Sequence, residues 1–162
     1  MIKVLFSFIS IFFLFVSNFY GLELSCKFEE VHSNGQANQG ILLLKQNKLR
    51  YEYIDKDLFI IFVDDQEILL FDKKRNITKP IKDNLDIIHM IIKLGKDFPN
   101  IQEEFDEHGV RIKIEFNSLN NFIKRISIDS PRVKLSLYLQ ECDLEKPIND
   151  LFFKSDPVFE YK

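Results

Sequence analysis

Three segments in the first half of the chain are apolar at consecutive positions rather than at alternate ones: Ile41-Leu42-Leu43-Leu44, Leu58-Phe59-Ile60-Ile61-Phe62-Val63 and Ile68-Leu69-Leu70-Phe71. Each is short and bounded by polar, turn-forming residues, which makes it a strand rather than a helix. Successive strand side chains point to opposite faces of a sheet, so each of these strands needs cover on both sides. Val110-Arg111-Ile112-Lys113-Ile114-Glu115-Phe116, later in the chain, alternates cleanly. That is the pattern of a strand with one face buried and one in water. A fold for this chain has to hide both faces of one part of a sheet and a single face of another.

The remaining elements follow from the same patterns. Polar turns recur every eight to ten residues from 25 to 72, which predicts an antiparallel meander with strands at 25–32, 40–46, 48–53, 58–63 and 67–72. Lys45-Gln46-Asn47-Lys48 and Asp64-Asp65-Gln66 are its tight connections. After Pro80 the spacing changes. Asp83-Asn84 can cap a helix carrying Leu85, Ile87, Ile88, Met90, Ile91, Ile92 and Leu94, and Gly95 is placed to end it. So many apolar residues leave the helix little polar face, so one stripe can pack on the sheet while the rest needs another partner. Strands resume at 101–106, 110–116, 122–129 and 133–142, and a last apolar patch follows at Leu151-Phe152-Phe153. Two arrangements satisfy these demands: a sheet sandwiched in an ordinary core, or a sheet curled around an apolar cavity with the helix across its mouth.

The first 21 residues stand apart. Lys3 precedes an uncharged, mostly apolar block from Val4 to Val16, broken only by Ser7 and Ser10, and Ser17, Asn18 and Gly21 follow, the three-part plan of a secretory signal with cleavage between Ser17 and Gly21. An uncleaved anchor is the competing interpretation, but the block is short of the ~20 residues of a membrane span and no basic stop follows. Glu23 lies within three residues of Cys26, which argues against a lipid-modified N-terminus. Residues 22–162 make about 140 residues, enough for one domain with a sizeable core. The 22 basic and 25 acidic residues are evenly mixed, which leaves no basic face for nucleic acid. Cys26 and Cys142 are the two cysteines, and they permit either a disulfide in an oxidising compartment or two buried thiols.

Catalytic patterns are not found. His32, His89 and His108 are far apart, and there is no phosphate loop, nucleophile elbow or cysteine-pair metal motif. Asp64-Asp65 is adjacent acids at a turn, which point to opposite faces and most simply shape the chain. Asn76-Ile77-Thr78 is a formal glycosylation sequon, with meaning only in a eukaryotic host. The residues therefore point to a non-enzymatic protein without cofactor or metal.

Gly40-Ile41-Leu42-Leu43-Leu44-Lys45-Gln46-Asn47-Lys48-Leu49-Arg50-Tyr51-Glu52-Tyr53 resembles the signature hairpin of the outer-membrane lipoprotein carrier family: a glycine and an apolar strand, a Lys-Arg-Pro-Gly turn, then an apolar-Arg-aromatic-Glu-Tyr strand. The strands at 58–63 and 67–72, the helical stretch at 83–94 and the segment from Asp150 to Pro157 are similar to later elements of that family. The sequence also departs from it. Gln46 stands for the turn arginine, Asn47 for the proline, Asp65 for a turn glycine and Tyr51 for a tryptophan, while Arg50 matches the second arginine and Leu49 the apolar residue implicated in holding cargo.

The resemblance implies a mainly β (α+β) fold, a curved antiparallel sheet forming an unclosed β-barrel with a helical lid. It implies a monomeric periplasmic chaperone that takes lipoproteins from an inner-membrane releasing transporter, shields their acyl chains and passes them to an outer-membrane receptor. The alternative on the same fold is a lipid or glycolipid binding or sensing module that transports no lipoprotein. Carried over residue by residue, the resemblance puts Leu49, Tyr51, Tyr53, Phe59, Ile61, Val63, Leu69 and Phe71 on the cavity side. It gives Ile88, Ile91 and Ile92 to the lid, and leaves Arg50 and Glu52 outside. Each of these residues equally suits an ordinary core, and only the group as a whole favours a cavity.

Overall fold

A computed structural model describes residues 22–55, 57–64, 67–81, 86–107, 109–118, 122–131, 133–144 and 146–154. The apolar segment at 1–21 lies outside the described residues, as do Asp65, the proposed helix cap Asp83-Asn84, His108 and Pro157. The described chain forms one ten-stranded antiparallel sheet in the order β6-β5-β4-β3-β2-β1-β10-β9-β8-β7. Its strands are β1 Glu23–His32, β2 Ala37–Lys45, β3 Lys48–Tyr53, β4 Phe59–Asp64, β5 Glu67–Asp72, β6 Ile77–Pro80, β7 Glu104–Glu107, β8 Val110–Phe116, β9 Ile123–Asp129 and β10 Lys134–Asp143. Helix α1, Asp86–Asp97, comes between β6 and β7, and a 3-10 turn at Asp150–Phe153 ends the described chain.

Two meanders, β1 to β6 and β7 to β10, are joined side by side where β1 pairs with β10. The sheet is not closed: β6 and β7 are its two edges, and α1 is the connection between them. That topology carries the helix across the sheet. Lys93 of α1 lies 5.5 Å from the centre of the Phe105 ring on β7. His89 and Ile92 line one pocket with Ile68 of β5, and Gly95 lies against Leu44 of β2. β5 and β7 are eight steps apart in the sheet order. In a flat sheet they would be about 38 Å apart, several times the thickness of a helix. One helix reaches both because the sheet is curled around it.

Several details differ from the sequence-based expectation, the start of β2 at Ala37 rather than Gly40 among them. β6 is an additional strand; with Ile77 its single large aliphatic residue and all four positions exposed, it gives no periodic signal. Pro80 is tolerated there because β6 is an edge. β7 starts at Glu104 rather than Ile101. Gly95 does not end α1, which continues to Asp97 before Phe98-Pro99. A methyl group at position 95 would overlap the Leu44 side chain, so this glycine allows the helix to lie close on the sheet.

Cys26 and Cys142 form a disulfide across the β1–β10 seam, with their Cα atoms 4.1 Å apart. The bridge sits at a bulge. Ser25 pairs with Asp143 and Lys27 with Gln140, so β10 carries an additional residue there, and Glu141 adopts a left-handed φ of 48°. The cross-link spans 116 positions of sequence and fastens the two meanders together at the middle of the sheet.

Candidate functional site

The concave face holds the main apolar cluster. On β3, Leu49, Tyr51 and Tyr53 point into it, and on β4 Ile61 and Val63 do the same, with Phe59 packed half-buried at its margin. Leu24 and Phe28 of β1, Leu42 and Leu44 of β2, and the alternating isoleucines and leucines of β8, β9 and β10 complete the sheet's contribution. From the helix come Ile88, Met90, Ile91, Ile92 and Leu94, all buried in the same cluster. Gly40 serves this packing. It lies opposite both Phe28 and Tyr53, and a methyl group there would overlap the Phe28 ring and the carbonyl of Glu52. Phe28 instead lies flat across the glycine and stacks on Tyr51 with 4.1 Å between ring centres.

Leu69 and Phe71 are not on this face. Phe71 is buried with Ile60 and Phe62 on the convex side, with Leu69 packed beside them, and Ile68 takes the concave position. The reason is loop length. Asp64 pairs with Glu67, so the connection has two residues, and Val63 stands opposite Ile68 rather than Glu67. A three-residue turn at 64–66 would keep odd-numbered positions on one face. Shortening it by one sends every side chain of β5 to the other side.

The concave face also carries a polar group that sequence reasoning missed. Glu30 continues the inward series Leu24, Cys26, Phe28 on β1 and is 6% exposed. Tyr51 Oη and Tyr53 Oη donate to its Oε2 at 2.6 and 3.0 Å, and His32 Nε2 lies 2.6 Å from Oε1. Burial, reinforced by the charge of Glu30, holds both phenols well above their ordinary pKa. A buried carboxylate is tolerable only with such donors. The two tyrosines are therefore partly committed to Glu30 and present their rings, rather than their hydroxyls, to the interior. An acid at an inward position of an otherwise apolar series was the signal available in the sequence.

The convex side of the same strands has its own cover. Residues 146–154 run across β2, β3 and β4, where Ile148 and Phe153 enclose Leu43. Lys45 Nζ donates to the carbonyl of Ile148 at 2.8 Å and pairs with Asp150 at 2.9 Å, and Glu23 accepts from Ile148 N–H at 2.7 Å. The bond to Lys45 holds Asp150 below the ordinary carboxylate range and raises Lys45. Arg50 does point away from the concave face, as alternation requires, yet is 3% exposed. Its guanidinium donates to Glu52 at 2.6 and 2.9 Å and to the Phe152 carbonyl at 3.1 Å, and lies over the Phe62 ring.

A pocket of about 490 Å³ opens along the seam between α1 and the β4–β5 hairpin. Val63, Ile68 and Ile92 give it an apolar lining; His89, Lys93, Lys96 and Asn47 add polar groups. His89, Lys93 and Lys96 follow the i, i+4, i+7 spacing of one helix face. In comparisons with known proteins, no family model matches the chain and no curated protein matches it.

Proposed function

We propose that this protein is a periplasmic carrier that shields the acyl chains of lipoproteins between an inner-membrane releasing transporter and an outer-membrane receptor. The observation that carries this reading is the concave face. Most of the strands of an unclosed sheet line it with apolar side chains, and a helix lies across it through van der Waals contact, with a pocket along the seam. Apolar burial is non-directional and contributes about 0.8 kcal/mol per methylene, so such a surface holds a fatty chain without catalytic groups. In this reading α1 is the lid, and Leu49, Tyr51, Tyr53, Phe59, Ile61, Val63, Ile88, Ile91 and Ile92 contact the chain once α1 moves. Leu69 and Phe71 have no part in it. The disulfide fits export to an oxidising compartment. Gln46 at the family's turn arginine and the basic rim of the seam pocket favour a second reading, a same-fold lipid or glycolipid module.

Native mass spectrometry of the protein purified from a bacterial periplasm tests this directly. A co-purified acylated lipoprotein is the expected result. Bound diacyl lipid or glycolipid would replace the first reading by the second, and a protein that stays empty with added lipopeptide would sink both.

A further inference from the structure

The concave face changes character along its strands. α1 meets the first meander at one end of them, where Gly95 lies against Leu44 and Ile92 lines the seam pocket with Val63 and Ile68. Toward the other end the inward series of β1 passes from Leu24, Cys26 and Phe28 to Glu30 and then His32, where the strand stops. Glu30 pairs with Asn38 on β2, six positions from Leu44, so about 20 Å of strand separates the carboxylate from the helix contact. The surface between them is apolar, formed by Leu42, Phe28, Ile61 and the rings of Tyr51 and Tyr53. Those two tyrosines reach Glu30 from two strands away, and both hydroxyls bond to Oε2 while His32 lies against Oε1. Their rings are held on their faces as well. Phe28 stacks on Tyr51 and meets Tyr53 edge-on at 5.7 Å, and Tyr53 meets Phe59 edge-on at 5.4 Å.

We propose that Glu30, with Tyr51 and Tyr53, is the chain-length stop of the concave face: an alkyl chain laid along the strands from the helix end gains apolar contact until it meets this hydrogen-bonded cluster, and methylenes beyond that point stay in water. The magnitudes favour a stop over an opening. One more buried methylene tightens binding about fourfold, whereas withdrawing a donor from a buried carboxylate costs about tenfold or more. A longer chain therefore does not displace the tyrosines from Glu30. The inference rests on the acyl-chain reading above and narrows its ligand to chains of limited length, bound with the tail rather than the headgroup toward Glu30.

Calorimetric titration of the purified protein with lysophosphatidylcholines carrying decanoyl to octadecanoyl chains, each kept below its micelle-forming concentration, tests the proposal. Affinity rises about fourfold with each added methylene and then levels off within the series. Glu30→Leu combined with Tyr51→Phe and Tyr53→Phe removes acceptor and donors together, so none of the three is left unpaired, and it moves the levelling to a longer chain. Glu30→Gln, whose amide oxygen still accepts from both tyrosines, levels off where the parent does. A second measurement needs no variant. The chain has no tryptophan, so tyrosine emission is read directly, and a nitroxide at the tail of the longest chain that still gains affinity quenches it more than one beside the headgroup. Affinity that keeps rising through the octadecanoyl chain, a levelling point that the triple variant leaves in place or the Gln variant moves, or stronger quenching from the head end overturns the inference and leaves the acyl-chain reading intact. Failure of every chain length to bind removes the acyl-chain reading itself.

Discussion

The two meanders of the sheet solve the burial problem differently. In β8, Ile112 and Ile114 are buried on the concave side while Arg111 and Lys113 meet water on the other, and no further cover is needed. In β4, Ile60, Ile61, Phe62 and Val63 are all buried, and the chain provides two covers for these strands. The concave cover, α1, is held by apolar packing and by close approach at Gly95. The convex cover, residues 146–154, is held by directional bonds from Lys45, Glu23 and Arg50. Apolar contacts tolerate sliding and exchange for another apolar partner, whereas a set of hydrogen bonds and ion pairs fixes one geometry. On the carrier reading proposed above, the strap would stay in place and the helix would be the cover that an acyl chain displaces.

The seam between the halves gives the largest expected effect. Replacing Cys26 and Cys142 by serine releases a cross-link spanning 116 positions. On the chain-entropy model this costs roughly 4 to 5 kcal/mol. Chemical denaturation followed separately by probes in β3 and β9 measures it, and midpoints that diverge once the bridge is gone would mean that the disulfide makes the halves cooperative. Midpoints that neither fall nor diverge would remove the seam from the comparison.

A matched pair of arginines sharpens the contrast between the convex faces. Arg50 is buried under the strap, whereas Arg125 pairs with Glu115 and Tyr138 on the uncovered half, with its side chain 30% exposed. Arg50→Ala is expected to cost about 3 kcal/mol, because Glu52 and the Phe152 carbonyl lose a buried donor. Arg125→Ala should cost about 1 kcal/mol or less, as for a half-exposed pair. Urea melts of the two variants decide the matter. Equal losses would mean that the strap does not distinguish the halves.

The smallest effect is expected from acid. Asp150 is held below its ordinary pKa by Lys45, so in the folded state it stays ionised to lower pH than in the unfolded chain. Its contribution is present above the unfolded value, about pH 4, and is lost as pH falls through the folded one. Hydrogen exchange at 146–154 should therefore accelerate below about pH 4 while β8 and β9 keep their protection. Asp150→Asn should bring the faster exchange to neutral pH, and an unchanged strap in that variant would separate Asp150 from its anchoring.

What was legible in the sequence follows from what local patterns encode. Period-two and continuous apolar runs located nine of the ten strands and distinguished the half with one buried face from the half with two, because burial demands are written residue by residue. The concave identity of Leu49, Tyr51, Tyr53, Ile61 and Val63 was legible through the family resemblance rather than through a local pattern. The convex identity of Leu69 and Phe71 was not, because it depends on whether a turn has two residues or three, and both are polar. Glu30 was passed over since its partners, Tyr51 and Tyr53, are brought to it only by the intervening β2 hairpin. Gly95 carries the same lesson: a glycine near a helix end signals termination locally, and only the position of Leu44 beneath it gives it a packing role. By itself the sequence determined which residues must leave water and in what local geometry, since hydrophobicity and backbone preference are properties of short segments. The tertiary structure alone decided the pairing of β1 with β10, the curl that brings both edges to one helix, and the strap that buries Arg50. These depend on contacts between residues far apart in the chain, which no local pattern records.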